Sequence, residues 1–177
     1  MSTGPSVSPA HEPWLRGTHA GVPAAGRAVL HALELALEDL TKSTSGLTDA
    51  EVHSQPLGLP SIAVHLRHIA RSCDRILTYA EGGQLSPEQL AALKTELDGD
   101  GKQESLAELL AEVGASFSTA ANRIRALATA DLDTRRVVGR KQLPTSLGGA
   151  LVHVADHTQR HTGQVITTAK VLRALRS

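Results

Sequence analysis

The sequence predicts an all-α protein folded as a four-helix bundle, and two observations support this class. Four stretches of the 177-residue chain repeat apolar residues at alternating spacings of three and four, the period of an amphipathic helix. No stretch shows the alternation of polar and apolar residues that marks a half-buried strand. Four long amphipathic helices with short or moderate connections are typical of a four-helix bundle.

The four long helices are predicted at residues 24–43, 60–81, 103–128 and 145–175. The third has the clearest pattern, which runs through Leu106, Leu110, Val113, Phe117, Ala120, Ile124 and Leu127. The second is expected to end at Gly82-Gly83, since glycine favours the backbone conformation that ends a helix. Residues 129–143 are expected to form a connector without regular structure.

Two shorter helices are expected between the long ones. Thr48 begins a short turn of helix that reaches His53, with Glu51 three residues after the cap, the spacing of a capping box. Ser86-Pro87-Glu88 begins a short extra helix between the second and third long helices, because proline is favoured at the first helical position. It is expected to end near Leu97.

The composition bounds the domain organisation and the class of protein. Residues 1–12 are expected to be a disordered leader, and residues 13–177 a single domain. Lys plus Arg and Asp plus Glu both number 18, so the formal net charge is zero, which disfavours a nucleic-acid partner. No apolar run approaches the roughly 20 residues of a membrane span. A soluble, cytoplasmic protein without a membrane partner is therefore expected.

Side chains on the second helix have mostly structural interpretations. Cys73 is the only cysteine, so it forms no intramolecular disulfide, and its place on the apolar stripe predicts a small buried core residue. Arg71, Asp74 and Arg75 are expected on a solvated face, with a role in orienting an anionic cosubstrate as the alternative.

Histidine is the unusual component of this chain, with nine residues. His153, His157 and His161 follow one another at intervals of four in the last helix, and Gln164 comes next. At about 100° per residue they form one stripe along the helix, and the stripe overlaps its apolar face. A buried imidazole needs a hydrogen bond or a metal, so this stripe predicts metal ligands.

A third ligand usually comes from a facing helix, and the second helix offers two histidines. His65 lies closer to the apolar stripe of Ile62, Ile69 and Ile76, so periodicity favours it. His68 lies towards a flank, but the flanks of a bundle helix also face neighbouring helices. Neither residue is excluded by the pattern.

Two motifs resemble those of a known family. Residues 61–72, Ser-Ile-Ala-Val-His-Leu-Arg-His-Ile-Ala-Arg-Ser, resemble the helix-two motif of the DinB-like (YfiT-like) superfamily of bacterial four-helix-bundle metalloproteins. His157-x-x-x-His161-x-Gly-Gln164 is similar to that family's second motif. The resemblance implies a divalent metal, zinc or nickel by default, held by His68, His157 and His161. It leaves open whether His65 or His153 joins the site.

The resemblance also implies a function. Related proteins include transferases that use a low-molecular-weight thiol such as mycothiol, bacillithiol or glutathione, so a metal-dependent thiol transferase acting on a small molecule in detoxification or stress response is expected. His153 or Gln164 would orient a ligand or a proton. The alternatives are a non-catalytic metal-binding stress-response bundle and a metal-dependent hydrolase. A homodimer is expected, as in related bundles.

Overall fold

Four long helices dominate a computed structural model of the chain, which describes residues 11–96 and 103–176. In chain order the α-helices and β-strands are α1 (Ala24–Thr44), α2 (Asp49–His53), α3 (Ile62–Ala80), α4 (Pro87–Thr95), α5 (Leu106–Leu127), β1 (Arg135–Val138), β2 (Leu143–Ser146) and α6 (Leu147–Leu175). The protein is thus mostly helical, as predicted. Of the predicted leader, residues 1–10 lie outside the described residues. No helix within these two ranges is long and apolar enough to cross a membrane.

Side-chain caps fix where the helices begin. The Thr48 hydroxyl accepts from the Glu51 backbone N–H while the Glu51 carboxylate accepts from the Thr48 N–H, so the predicted capping box is confirmed. Ser86 caps α4 in the same way, and the predicted extra helix is present at Pro87–Thr95. The Ser61 hydroxyl accepts from a backbone N–H in the first turn of α3. Each cap satisfies donors that a helix start leaves without partners.

The long helices pack around an aliphatic core. α1 and α3 each lie against both α5 and α6, and the side chains between them are fully buried. The largest of these are Leu40, Ile62, Leu66, Ile69, Leu77, Leu109, Ile124, Leu147 and Leu151. Since the chain has one Phe, one Tyr and one Trp, branched aliphatic residues fill the space that aromatic rings often occupy. The contact between α3 and α6 brings the two predicted histidine motifs together.

Cys73 belongs to this core. The residue is 1% exposed, which confirms the predicted buried position. Burial raises the pKa of its thiol to about 12, because the thiolate loses its hydration. The side chain is therefore a protonated thiol at neutral pH.

The connector after α5 differs from the prediction. Residues 129–143 were expected to lack strands, but β1 and β2 pair in an antiparallel hairpin that ends where α6 begins. The strands have four residues each and no clear alternation, and their turn depends on positive φ angles at Gly139 and Gln142. Arg136 donates from Nε to the carbonyl oxygen of Ala80 at 2.5 Å. The hairpin is therefore held against the end of α3, beside the histidines.

Candidate metal centre

Three histidines from α3 and α6 converge between these two helices. His68 lies on α3, and His157 and His161 lie one turn apart on α6. The ring centroid of His68 is 4.8 Å from that of His157 and 4.4 Å from that of His161, and the last two rings are 4.7 Å apart. One ring nitrogen from each residue lies within 4.8 Å of the other two. The structure thus brings together the three residues that the resemblance implied as ligands.

Ring nitrogens of His68 and His157 face each other across the space between the two helices. Nε2 of His68 lies 2.7 Å from Nε2 of His157, and Nδ1 of His157 is buried without a hydrogen-bond partner among the described residues. Buried polar atoms without partners are rare in folded proteins. A divalent cation between His68 and His157 would be bound by the lone pairs of their facing Nε2 atoms. The donor atoms therefore fit the metal that the family resemblance implies.

Burial keeps two of these imidazoles neutral. Burial is the largest influence on the pKa of His157, which it lowers to about 4, and the nearby His68 lowers this pKa as well. The pKa of His161 is lowered to about 4 by the same two causes. Neutral imidazole is the form that donates a lone pair to a metal. Near pH 7 both rings are therefore in the ligand form.

A buried carboxylate that sequence reasoning missed holds the third imidazole. Glu96, just after α4, is 2% exposed, and its Oε1 forms a short hydrogen bond with Nδ1 of His68. Burial is the largest single influence on the pKa of Glu96 and raises it. The hydrogen bonds and charges of His68 and Arg75 together lower it by more, so the net pKa lies below its usual value. An ionised carboxylate on Nδ1 places the ring proton there and leaves Nε2 free to bind a metal.

Arg75 completes this arrangement and corrects one expectation. Its guanidinium donates to both Glu96 oxygens, with Nη1 2.5 Å from Oε2 and Nη2 3.2 Å from Oε1. Arg75 is 7% exposed, so the predicted solvated position was wrong for this residue. Arg71 and Asp74 are only partly buried and form ion pairs with Glu112 and Arg123. A buried arginine needs a counter-ion, and Glu96 supplies it.

His65, which periodicity favoured, lies beside the three histidines. Its Nδ1 is 3.1 Å from Nδ1 of His161, and burial lowers its pKa. It is 5% exposed, so periodicity correctly indicated a buried ring. The neighbouring position leaves His65 able to orient His161, while His68 contacts both α6 histidines.

The two candidate catalytic residues lie on different sides of the histidines. His153 borders a cleft of about 370 Å³ together with His68 and His157, and its Nδ1 lies 2.8 Å from a carboxylate oxygen of Asp156. Gln164 borders a separate groove of about 250 Å³ with His65 and hydrogen-bonds His161. They therefore cannot act together on one small molecule in the 370 Å³ cleft.

That cleft gives access to His68 and His157 of the candidate centre. Its walls come from α3, α6, the segment leading into α4, α4 itself and the hairpin. They are Ser72, Arg75, Ile76, Tyr79, Leu85, Leu93, Val138, Thr145, Gly149 and Ala150, besides His68, His153 and His157. The hairpin that the sequence did not predict thus forms one wall of the candidate site.

The chain belongs to the DinB superfamily. The family model matches residues 32–165, which include α3, the candidate metal centre and most of α6. A search of curated proteins finds no match.

Proposed function

We propose that this protein is a metal-dependent enzyme with a four-helix-bundle fold, which transfers a low-molecular-weight thiol to a small electrophilic substrate. His68, His157 and His161 would hold the divalent metal, zinc or nickel. The observation that supports this most is the convergence of three imidazoles, one of them with a buried nitrogen that has no partner among the described residues. Membership of the DinB superfamily agrees with it.

The donor set favours a reactive site over a purely structural one. Structural zinc sites use four protein ligands, whereas three protein ligands leave a position for another molecule. When bound, the metal would lower the pKa of a coordinated thiol so that its sulfur is a thiolate at neutral pH.

The surrounding side chains have distinct positions in this proposal. Glu96 fixes the ring of His68 from its Nδ1 side, and Arg75 holds Glu96 in place. Ile76, Leu85 and Leu93 give the cleft an apolar wall, which favours an apolar electrophile. Tyr79 and His153, which border the same cleft, would orient the polar part of the substrate.

A thiol-conjugation assay on untagged, metal-loaded protein tests the proposal. A panel of thiols is offered with an apolar aryl halide, and product formation is followed with and without the metal. We expect metal-dependent conjugation that His157→Ala abolishes. Leu93→Ala, in the cleft wall, should raise KM for the aryl halide, whereas Leu175→Ala, an exposed leucine at the end of α6, should not.

The same assay has one outcome that would refute the proposal. Metal bound at the histidines, together with no conjugation by any thiol in the panel, would refute the transferase proposal. It would favour the non-catalytic metal-binding alternative.

A further inference from the structure

A second group of metal-ligating side chains lies where the N-terminal segment meets α1. His31 and Glu34 are three residues apart on α1, and therefore on one face of that helix. His19 comes from the segment before α1. One ligand atom from each of the three lies within 4.8 Å of the other two. None of them belongs to the centre between α3 and α6.

The local structure holds these side chains together. His19 has a positive φ of 58°, uncommon for a residue other than glycine, and its carbonyl accepts from the Val22 N–H at 2.8 Å. This turn brings Nε2 of His19 to 2.6 Å from Oε1 of Glu34. His31 is 8% exposed, and its Nε2 lies 3.0 Å from the Thr18 hydroxyl oxygen.

We propose that His19, His31 and Glu34 form a second site for a divalent transition-metal ion. Two imidazole nitrogens and one carboxylate oxygen are a ligand set that suits zinc, cobalt, nickel or iron(II). The ion would take the place of the hydrogen bond between His19 and Glu34. With metal–ligand bonds of about 2.0–2.2 Å, tetrahedral ligand atoms lie about 3.3–3.6 Å apart. Nε2 of His19 and Oε1 of Glu34, now 2.6 Å apart, would therefore separate by about 1 Å or less. A groove of about 250 Å³ beside His19 and Glu34 gives access from solvent.

Neighbouring positive charges oppose the binding of a cation here. Arg16 interacts electrostatically with Glu34, and Arg125 lies beside His19. Nη2 of Arg125, an exposed residue of α5, lies 3.4 Å from Nδ1 of His19. The guanidinium repels a metal ion, and it also repels the Nδ1 proton that His19 carries when Nε2 binds the metal. Replacing Arg125 with an uncharged residue should therefore raise the affinity of the site for a metal ion.

Titration of the metal-stripped, untagged full-length chain with Co²⁺ tests the site. Calorimetry gives the number of equivalents, and the fluorescence of Trp14, the only tryptophan, reports on this region because Trp14 and His31 border the same groove. We expect two equivalents for the unmodified chain and quenching of Trp14 by one of them. Glu34→Gln and His19→Ala should each lose that equivalent and the quenching, and Arg125→Ala should tighten it severalfold.

Two further variants separate this site from the centre between α3 and α6. Asp39→Asn removes a carboxylate from another face of α1 and should keep both equivalents. His161→Ala should lose the other equivalent and keep the quenching of Trp14. The proposal is overturned if Trp14 responds equally in Glu34→Gln and in the unmodified chain, or if Arg125→Ala weakens binding. Either result leaves the proposed function untouched, because the His161→Ala comparison is independent.

Discussion

Glu96→Gln is the substitution that most directly examines how the candidate centre is built. The change keeps the size of the side chain and one oxygen that can accept from Nδ1 of His68, but it removes the negative charge. Glu96 is almost fully buried and contacts both His68 and Arg75. Its loss should therefore affect the metal affinity and the free energy of unfolding by separate routes.

The size of each effect follows from these contacts. Changing a residue that holds a metal-binding histidine typically lowers the metal affinity by about 10–100-fold. We expect a loss of about tenfold, because the amide oxygen of the new side chain would still accept one hydrogen bond. Arg75, 7% exposed, would be left without its counter-ion. Removing one partner of a buried ion pair costs about 3–5 kcal/mol of folding stability.

Urea denaturation of the metal-free protein and competitive zinc titration measure the two effects. The matched control is Glu112→Gln, which breaks the ion pair with Arg71, where both side chains are partly exposed, and should change stability by at most about 1 kcal/mol. Equal zinc affinity and equal stability in Glu96→Gln and the unmodified protein would refute the role assigned to Glu96.

Three further outcomes are expected. Cys73, with a pKa of about 12, should not react with an aromatic disulfide reagent at pH 8 until the chain is unfolded; rapid reaction of native protein would contradict its burial. Gly26→Ala would place a methyl carbon 2.4 Å from Cβ of Ala128, just after α5, and should lower the free energy of unfolding by about 1–3 kcal/mol. Gly114→Ala, in open space within α5, should raise the free energy of unfolding by about 0.5–1 kcal/mol. Urea denaturation of both variants compares the two effects. The pKa values of His157 and His161 are lowered to about 4 from 6.5 in the folded protein. As the pH falls, the unfolded chain therefore binds protons at these residues before the folded chain does, and the metal-free protein should lose stability between about pH 6.5 and about pH 4. A free energy of unfolding that rises as the pH falls over this range would contradict the neutral imidazoles.

The helices could be predicted from the sequence because their apolar spacing extends over many residues. The helix starts at Thr48 and Ser86 could be predicted for a different reason: each cap depends on a partner only three residues away. The hairpin could not be predicted, because each strand has four residues and its position depends on a contact between Arg136 and Ala80, 56 positions apart. Short elements held by distant contacts leave little trace in local pattern.

The candidate centre was partly predictable for the same reason. His157 and His161 share one helix, so their spacing alone places them side by side. Periodicity pointed to His65 because it detects burial, and His65 is indeed buried, but it carries no information about which ring faces the last helix from a flank. Glu96 lies just after a short helix, where no pattern indicates its partners, 28 and 21 residues away.

The zinc affinity of His157→Ala, compared with that of His65→Ala, tests the central claim most directly. Both substitutions are made in the Glu34→Gln background, so that the site at α1 does not contribute, and zinc is measured by competition with a chromophoric chelator on untagged protein. We predict one equivalent of tightly bound zinc in the background chain, loss of that binding in His157→Ala and a smaller change in His65→Ala. Unchanged binding in His157→Ala, or a greater loss in His65→Ala, would contradict a centre formed by His68, His157 and His161.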